Sequence, residues 1–300
     1  MLLIISYINF TFNIKMEIPI LEMNNKLKIP QVGFGVFLIK DNDEAEKCCL
    51  EAFKLGYRHI DTAHLYGNEK GVGEAIRKSG IPREQIFLTS KIWHNECGEG
   101  ITSKAIDRML KRLNLPYLDL LLIHWPVGDY CGAWKDMEKA VEAGKIKSIG
   151  LSNFKKKNLD DILKIAKIMP VVDQVECHPY DPCDDLRKEL DKIHCYIEAW
   201  SPIGRGNAQL LKEELLVNLG KKYNKSVPQV ILRWHIQKGN IIFPKSSNPV
   251  HIKENINIFD FNLTKEEVEQ IDGLKREPIF TAKWEEKLAN IASRFVSLED

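Results

Sequence analysis

The sequence predicts an α/β chain folded as a single (β/α)8 TIM barrel, with an N-terminal β-hairpin and extra C-terminal helices and a tail. Three observations predict it. Eight short apolar runs alternate with amphipathic helical stretches. The run at 118–124, Leu-Asp-Leu-Leu-Leu-Ile-His, is almost unbroken, as a parallel strand covered on both faces requires. No linker or shift in composition divides residues 16–300, so they form one domain. An open doubly wound sheet should carry G-x-G-x-x-G after its first strand. Here Gly33-Phe34-Gly35 is followed by Phe37-Leu38 and the third glycine is missing.

In chain order, residues 19–22 and 26–29 flank a turn at Asn24-Asn25 and read as the hairpin. Residues 32–37 are expected to be the first barrel strand, with glycines that let another backbone come close. Asp41-Asn42-Asp43 offers N-caps, and Ala45, Cys48, Cys49, Ala52 and Phe53 recur at helical spacing until Gly56. Strand two ends at Asp61, with its helix over 68–79. Strand three is 86–92, and Ile106, Met109, Leu110 and Leu113 stripe the helix after it. Strand four is followed by a helix over 133–143, and strand five, 146–151, by a helix carrying Leu159, Ile162, Leu163 and Ala166. Strands six to eight are 171–176, 195–200 and 241–243. Helices are expected at 184–192, 210–223, 227–238, 251–257 and 265–273, and residues 281–295 as helix or extended tail.

Composition narrows the function. Of 300 residues, 44% are hydrophobic and 28% charged, the values of a soluble globular protein. A net charge of +1 gives no reason to expect nucleic acid or an acidic membrane, and Lys155-Lys156-Lys157 reads as a solvated face. The seven cysteines are odd in number and contain no C-x-x-C pair, which argues against a disulfide framework or a zinc site and for a reducing, cytoplasmic setting. Residues 1–15 lack a basic start and a cleavage site and are too short to span a bilayer. Met16 is the expected natural start, and 1–15 an upstream extension or disordered tail; a weak uncleaved signal is the alternative.

In such a barrel the working groups stand at the C-terminal strand ends. Strand two brings Asp61 and, in the stretch Asp61-Thr62-Ala63-His64-Leu65-Tyr66-Gly67-Asn68-Glu69, Tyr66. Strands three and four bring Lys91 and His124. A buried Lys needs a counterion, and Asp61 can supply it. A cation beside a phenol favours phenolate, so Tyr66 is expected to titrate below its usual value of about 10 and to act as a general acid. His124 could orient a carbonyl oxygen. A structural Asp61–Lys91 ion pair with a core histidine stands as the alternative.

The stretches 61–69, Leu-Leu-Ile-His-Trp-Pro (121–126), Gly-Leu-Ser-Asn-Phe (150–154), Gln-Val-Glu-Cys-His-Pro (174–179) and Pro-Lys-Ser (244–246) resemble the aldo-keto reductase family. The likeness runs from about Ile18 to Leu274 and is closest to compact microbial members of the diketogluconate-reductase-like and prostaglandin-F-synthase-like kind. It implies NADPH-dependent reduction of an aldehyde or ketone, without a metal, by a tetrad of Asp61, Tyr66, Lys91 and His124. It also implies that Ser152, Asn153 and Gln174 hold the nicotinamide carboxamide. Trp200, where the family usually has Tyr, would stack on the ring, and Ser201 would touch the pyrophosphate. Lys245, Ser246 and position 251 would meet the 2′-phosphate, and Glu254 and Asn255 the adenine. Position 251 departs from the family: it is His251, where Arg is common, so NADH use is expected beside NADPH. Only residues 127–133 separate Pro126 from Trp134, a shorter loop than the family's, which suggests a permissive pocket walled by Phe37, Trp93 and Trp125. Two other functions compete: a nicotinamide-binding regulatory or interaction subunit, and a lyase using Lys91 as a Schiff-base amine. A monomer is expected.

Overall fold

A computed structural model describes residues 17–39 and 41–279. The expectations for 1–15 and for the tail at 281–295 lie outside the described residues. Strands β1 (Ile20–Glu22) and β2 (Lys28–Pro30) form the expected antiparallel hairpin. A single parallel sheet then runs in chain order through β3 (Phe34–Gly35), β4 (His59–Asp61), β5 (Phe87–Ile92), β6 (Leu118–Ile123), β7 (Ile146–Ser152), β8 (Val172–Glu176), β9 (Tyr196–Trp200) and β10 (Ile241–Ile242). Its two edges meet: Val32 bridges Ile242 in parallel, Gly33 N donates to Ile242 O at 2.8 Å, and Ile242 N donates to Gln31 O at 3.0 Å. The curled eight-stranded sheet thereby closes as a (β/α)8 barrel must.

The helices are α1 (Asn42–Lys54), α2 (Glu69–Lys78), α3 (Thr102–Leu113), α4 (Tyr130–Glu142), α5 (Lys156–Leu163), α6 (Asp184–Asp191), α7 (Glu214–Tyr223), α8 (Val227–Gln237), α9 (Pro249–Ile256) and α10 (Lys265–Asp272). Their starts are written in the sequence. Asp41 caps α1 by accepting from Glu44 N at 2.8 Å, and Ser226 with Gln229, and Thr264 with Glu267, make reciprocal capping boxes on α8 and α10. Helices α1 and α2 pack closely because Gly71 has no side chain: a Cβ there would stand 2.0 Å from Asn42 O.

Two expectations are corrected. The first barrel strand is not 32–37 but the two residues of β3 and the Val32 bridge. The backbone turns away at Leu38, whose φ is 62°, and Gly33 lies so close to the Phe243 ring that a Cβ would sit 2.6 Å from it. The stretch 210–223 is not one helix. Glu213, at φ −55° and ψ 124°, breaks it into a 3-10 turn, Leu210–Lys212, and α7.

One apolar core lies between sheet and helices. A second, smaller one fills the lower barrel with Met23 and Ile29 from the hairpin against Phe87, Leu120, Leu122, Val172, Ile241 and Phe243. The hairpin plugs that end, with Asn24 Nδ2 donating to Pro170 O at 2.9 Å and Asn25 Nδ2 to Ser148 Oγ at 3.0 Å. The other end, where the strands finish, is left for the site. Among the described residues no helix is long and apolar enough to cross a membrane.

Candidate active site

At the C-terminal strand ends a cavity of about 480 Å³ is lined by Asp61, Tyr66, Trp93, His124, Ser152, Asn153, Gln174, Trp200 and Ser201, among others. Phe37, Trp125 and Lys245 also line it. The barrel therefore gathers in one place most of the residues the sequence singled out. Lys91 lies beneath them, fully buried. Ser246, His251, Glu254 and Asn255 do not line this cavity. They belong to the turn after β10 and to α9, where Asn248 caps Val250 N at 3.0 Å and His251 is exposed.

The floor is built around Lys91, which β5 carries inward. Its Nζ donates to Asp61 Oδ1 at 2.8 Å, Asp61 Oδ2 at 2.7 Å and Thr62 O at 2.9 Å, and lies 3.4 Å from Tyr66 Oη. An uncompensated ammonium at this depth would cost several kcal/mol. Burial alone pulls Lys91 down, but Asp61 and Tyr66 outweigh it, and its pKa is raised. Lys91 is therefore charged at neutral pH.

The expected low pKa of Tyr66 is corrected. Burial pushes the phenol up; Lys91 pulls it down, Asp61 pushes it up again, and the net direction is up. The physical reason is burial first, which disfavours the charged phenolate, with Asp61 offsetting part of the pull of Lys91. Tyr66 stays protonated at neutral pH, as a proton donor must before it acts.

His124 is held well below the ordinary imidazole value by burial first, then by Lys91 and His94. It is neutral. Its ring meets Tyr66 edge-on at 5.9 Å and Trp93 at 5.1 Å, and its buried Nδ1 has no hydrogen-bond partner among the described residues. Phe37 packs on Tyr66 with ring centroids 4.9 Å apart.

The far wall is a hydrogen-bonded brace across strands β6 to β9. Asn153, at φ 63°, donates to His124 O at 3.0 Å and Ser152 Oγ at 3.1 Å, and its Oδ1 accepts from Trp200 Nε1 at 2.8 Å. Ser152 Oγ donates to Gln174 O at 2.8 Å. Gln174 Nε2 reaches across the barrel to Asp61 Oδ2 at 2.9 Å and sideways to Glu198 Oε2 at 3.0 Å.

Sequence reasoning missed Arg205, which lines the cavity between two glycines with φ 51°. Its guanidinium lies 5.4 Å from the Phe37 ring centre and 5.5 Å from that of Trp200, and its Nε donates to Ser201 Oγ at 3.1 Å. The signal was an arginine inside Gly-Arg-Gly in the loop that follows β9, after Ser201-Pro202-Ile203. Glu198 was missed too, because its position inside an apolar strand gave no hint of its bond to Gln174. Among the described residues no group of His, Cys, Asp or Glu could hold a metal ion.

A parallel barrel whose strand ends converge a buried lysine, an aspartate, a tyrosine and a histidine belongs to a narrow class, and comparison identifies it. The chain belongs to the Aldo/keto reductase family, which matches residues 31–276. It is 45% identical over 257 residues to the glyoxal reductase of Bacillus subtilis, covering 85% of this chain and 92% of that one. It superposes on an aldo/keto reductase from Brucella melitensis with a TM-score of 0.84 at 46% identity, covering 87% and 99%. With the Bombyx mori aldo-keto reductase solved in complex with NADP the TM-score is 0.82 at 33% identity, covering 89% and 96%.

Proposed function

We propose that this protein reduces a small aldehyde or ketone to the alcohol with NADPH, Tyr66 being the proton donor. One observation carries the reading: a fully buried Lys91, charged through Asp61, lies 3.4 Å from the Tyr66 hydroxyl on the floor of the cavity that His124 also faces. When bound, a reduced nicotinamide supplies a hydride to the carbonyl carbon. Tyr66 gives its proton to the carbonyl oxygen. The Lys91 ammonium stabilises the phenolate left behind, and Asp61 keeps that ammonium charged. Neutral His124 keeps one ring N–H and can donate it to the same oxygen. Phe37, Trp93 and Trp125 exclude water and leave room for varied carbonyl substituents.

The residues fit the cofactor. Both hydrogens of Gln174 Nε2 are spent on carboxyl oxygens of Asp61 and Glu198, so its oxygen is the polar atom it offers the cavity, an acceptor suited to a carboxamide NH2. Trp200 offers a ring for stacking, with Ser152, Asn153 and Ser201 beside it. Exposed Lys245, with Ser246 and His251, would meet the 2′-phosphate, and Glu254 and Asn255 the adenine. The Bombyx mori relative in complex with NADP supports a nicotinamide cofactor.

The test is oxidation of NADPH with a panel of small aldehydes, run on wild type and Tyr66→Phe. Turnover should fall by roughly a hundred- to ten-thousandfold in the variant while cofactor affinity holds. Tight binding of NADPH with no turnover of any carbonyl by the wild type would overturn the reductase reading.

A further inference from the structure

Glu198 takes no direct part in the chemistry proposed above, yet it is fully buried inside the barrel one register step from the wall of the site. Strand pairing sets Ser152, Gln174 and Glu198 side by side across β7, β8 and β9. Glu198 Oε2 accepts from Gln174 Nε2 at 3.0 Å, and its Oε1 is buried with no hydrogen-bond partner among the described residues. The other hydrogen of the same amide goes to Asp61. Both Asp61 oxygens accept from Lys91 Nζ, at 2.8 and 2.7 Å, so the amide nitrogen, as donor, faces Asp61 and the amide oxygen faces away.

We infer that Glu198 is a positioning residue for the cofactor: with Asp61 it clamps both hydrogens of the Gln174 amide and so fixes the Gln174 oxygen as the acceptor for the nicotinamide carboxamide. The inference rests on the nicotinamide reading of the site. Without Glu198 one buried N–H of Gln174 loses its partner, and the amide is free to swing towards another acceptor.

The clamp has an electrical consequence. Burial first, then Asp61, pushes the Glu198 carboxyl up to about 8; Gln174 and Lys91 pull the other way and Asp173 adds to the rise. The ionisable groups facing it are thus Asp61 on β4, Lys91 on β5, Asp173 on β8 and Cys195 just before β9. Below pH 8 Glu198 is neutral, and above it Glu198 adds a buried negative charge behind Gln174. The oxidised cofactor carries one more positive charge on its ring than the reduced form. Ionised Glu198 therefore favours the oxidised form, and the preference grows as pH rises through about 8. The 2′-phosphate is common to both forms and cancels in the ratio.

The experiment is a fluorescence titration of NADPH and NADP+ binding to wild type, Glu198→Leu and Glu198→Gln, at pH values from about 7 to 9, with thermal unfolding of each. Glu198→Leu should weaken NADPH binding about tenfold, and Glu198→Gln, which can still accept from Gln174, should recover most of it. In wild type the affinity ratio of oxidised to reduced cofactor should rise on the order of tenfold across that range. In Glu198→Gln it should stay flat. Undiminished binding in a folded Glu198→Leu overturns the clamp. Should that variant not fold, Glu198→Ala takes its place under the same criterion; a pH-dependent ratio surviving in Glu198→Gln overturns the electrical consequence. A wild type that binds neither cofactor form overturns the nicotinamide reading itself, and the clamp with it.

Discussion

Lys91 donates to both carboxylate oxygens of Asp61, at 2.8 and 2.7 Å, from a position with no exposure to solvent. The pair has two effects that pull apart. It makes a charged lysine tolerable in the barrel, and it cancels much of the field that would have pulled the Tyr66 phenol down. Asp61→Asn should therefore hurt stability as well as turnover, because it strands a buried ammonium. A loss of about 3–5 kcal/mol is expected in denaturant unfolding. Lys91→Met placed on top of Asp61→Asn should restore part of that stability while leaving the protein inactive. Additive losses in the double variant would mean the two residues do not act as a pair.

His124 is neutral in the folded protein, since burial, Lys91 and His94 all disfavour its proton. A hydrogen-bond donor that never titrates in the working range gives no acid limb. Initial rates of carbonyl reduction should thus be level between about pH 7 and 5, apart from any loss of folded protein. The measurement is a pH–rate profile under cofactor saturation with unfolding followed in parallel. A limb near the ordinary imidazole value of about 6.5 that disappears in His124→Asn would sink the assignment.

Beneath the site, His59 sits fully buried with Nδ1 against Pro30 O at 3.1 Å and Nε2 against Thr89 Oγ1 at 2.9 Å. The neutral ring satisfies both, donating to the carbonyl and accepting from the hydroxyl. Burial drives its pKa from 6.5 down to about 3, with Lys91 adding to the fall and the Pro30 carbonyl opposing it. Between those values the unfolded chain binds a proton that the folded protein refuses. Stability from this group is complete above about pH 6.5 and drains away as pH falls towards 3, by up to roughly 5 kcal/mol. Unfolding free energies at a series of pH values should fall more steeply for wild type than for His59→Gln. Equal slopes would show that other groups, the carboxylates first among them, govern acid unfolding.

The barrel was legible because its signals are local. Helical stripes, the cap at Asp41, and the apolar run ending at His124 each name their element without help from distant residues. The two errors came where tertiary contact decides: β3 is cut short by the approach of Gly33 to Phe243, and Glu213 breaks a stretch that reads as one helix. In the site, Asp61, Tyr66, Lys91 and His124 could be found because each ends a strand or follows one. The direction of the Tyr66 shift could not, since it depends first on how deeply the fold buries the phenol and then on how Lys91 and Asp61 balance beside it. Glu198 was invisible for a similar reason, as its importance lies in a bond to Gln174, 24 residues away in sequence. Arg205 could have been flagged by its flanking glycines alone.

His251 bears on the choice between NADPH and NADH. His251 is exposed on α9, close in sequence to Lys245, which reaches the cavity, and to Ser246. An arginine would grip a 2′-phosphate with two parallel N–H donors and a permanent charge; the shorter histidine has no such fork of donors. The preference for NADPH over NADH should accordingly stay below about a thousandfold, and His251→Arg should raise it by about tenfold. The gain must come from tighter NADPH binding, because NADH has nothing for the new guanidinium to hold, so its kcat/KM should not move. It must also shrink with added salt, since the contact is exposed and screened. Steady-state kinetics with both cofactors at two ionic strengths would check each part. If His251→Arg changes NADH and NADPH alike, α9 does not face the 2′-phosphate, and discrimination rests on Lys245 and Ser246.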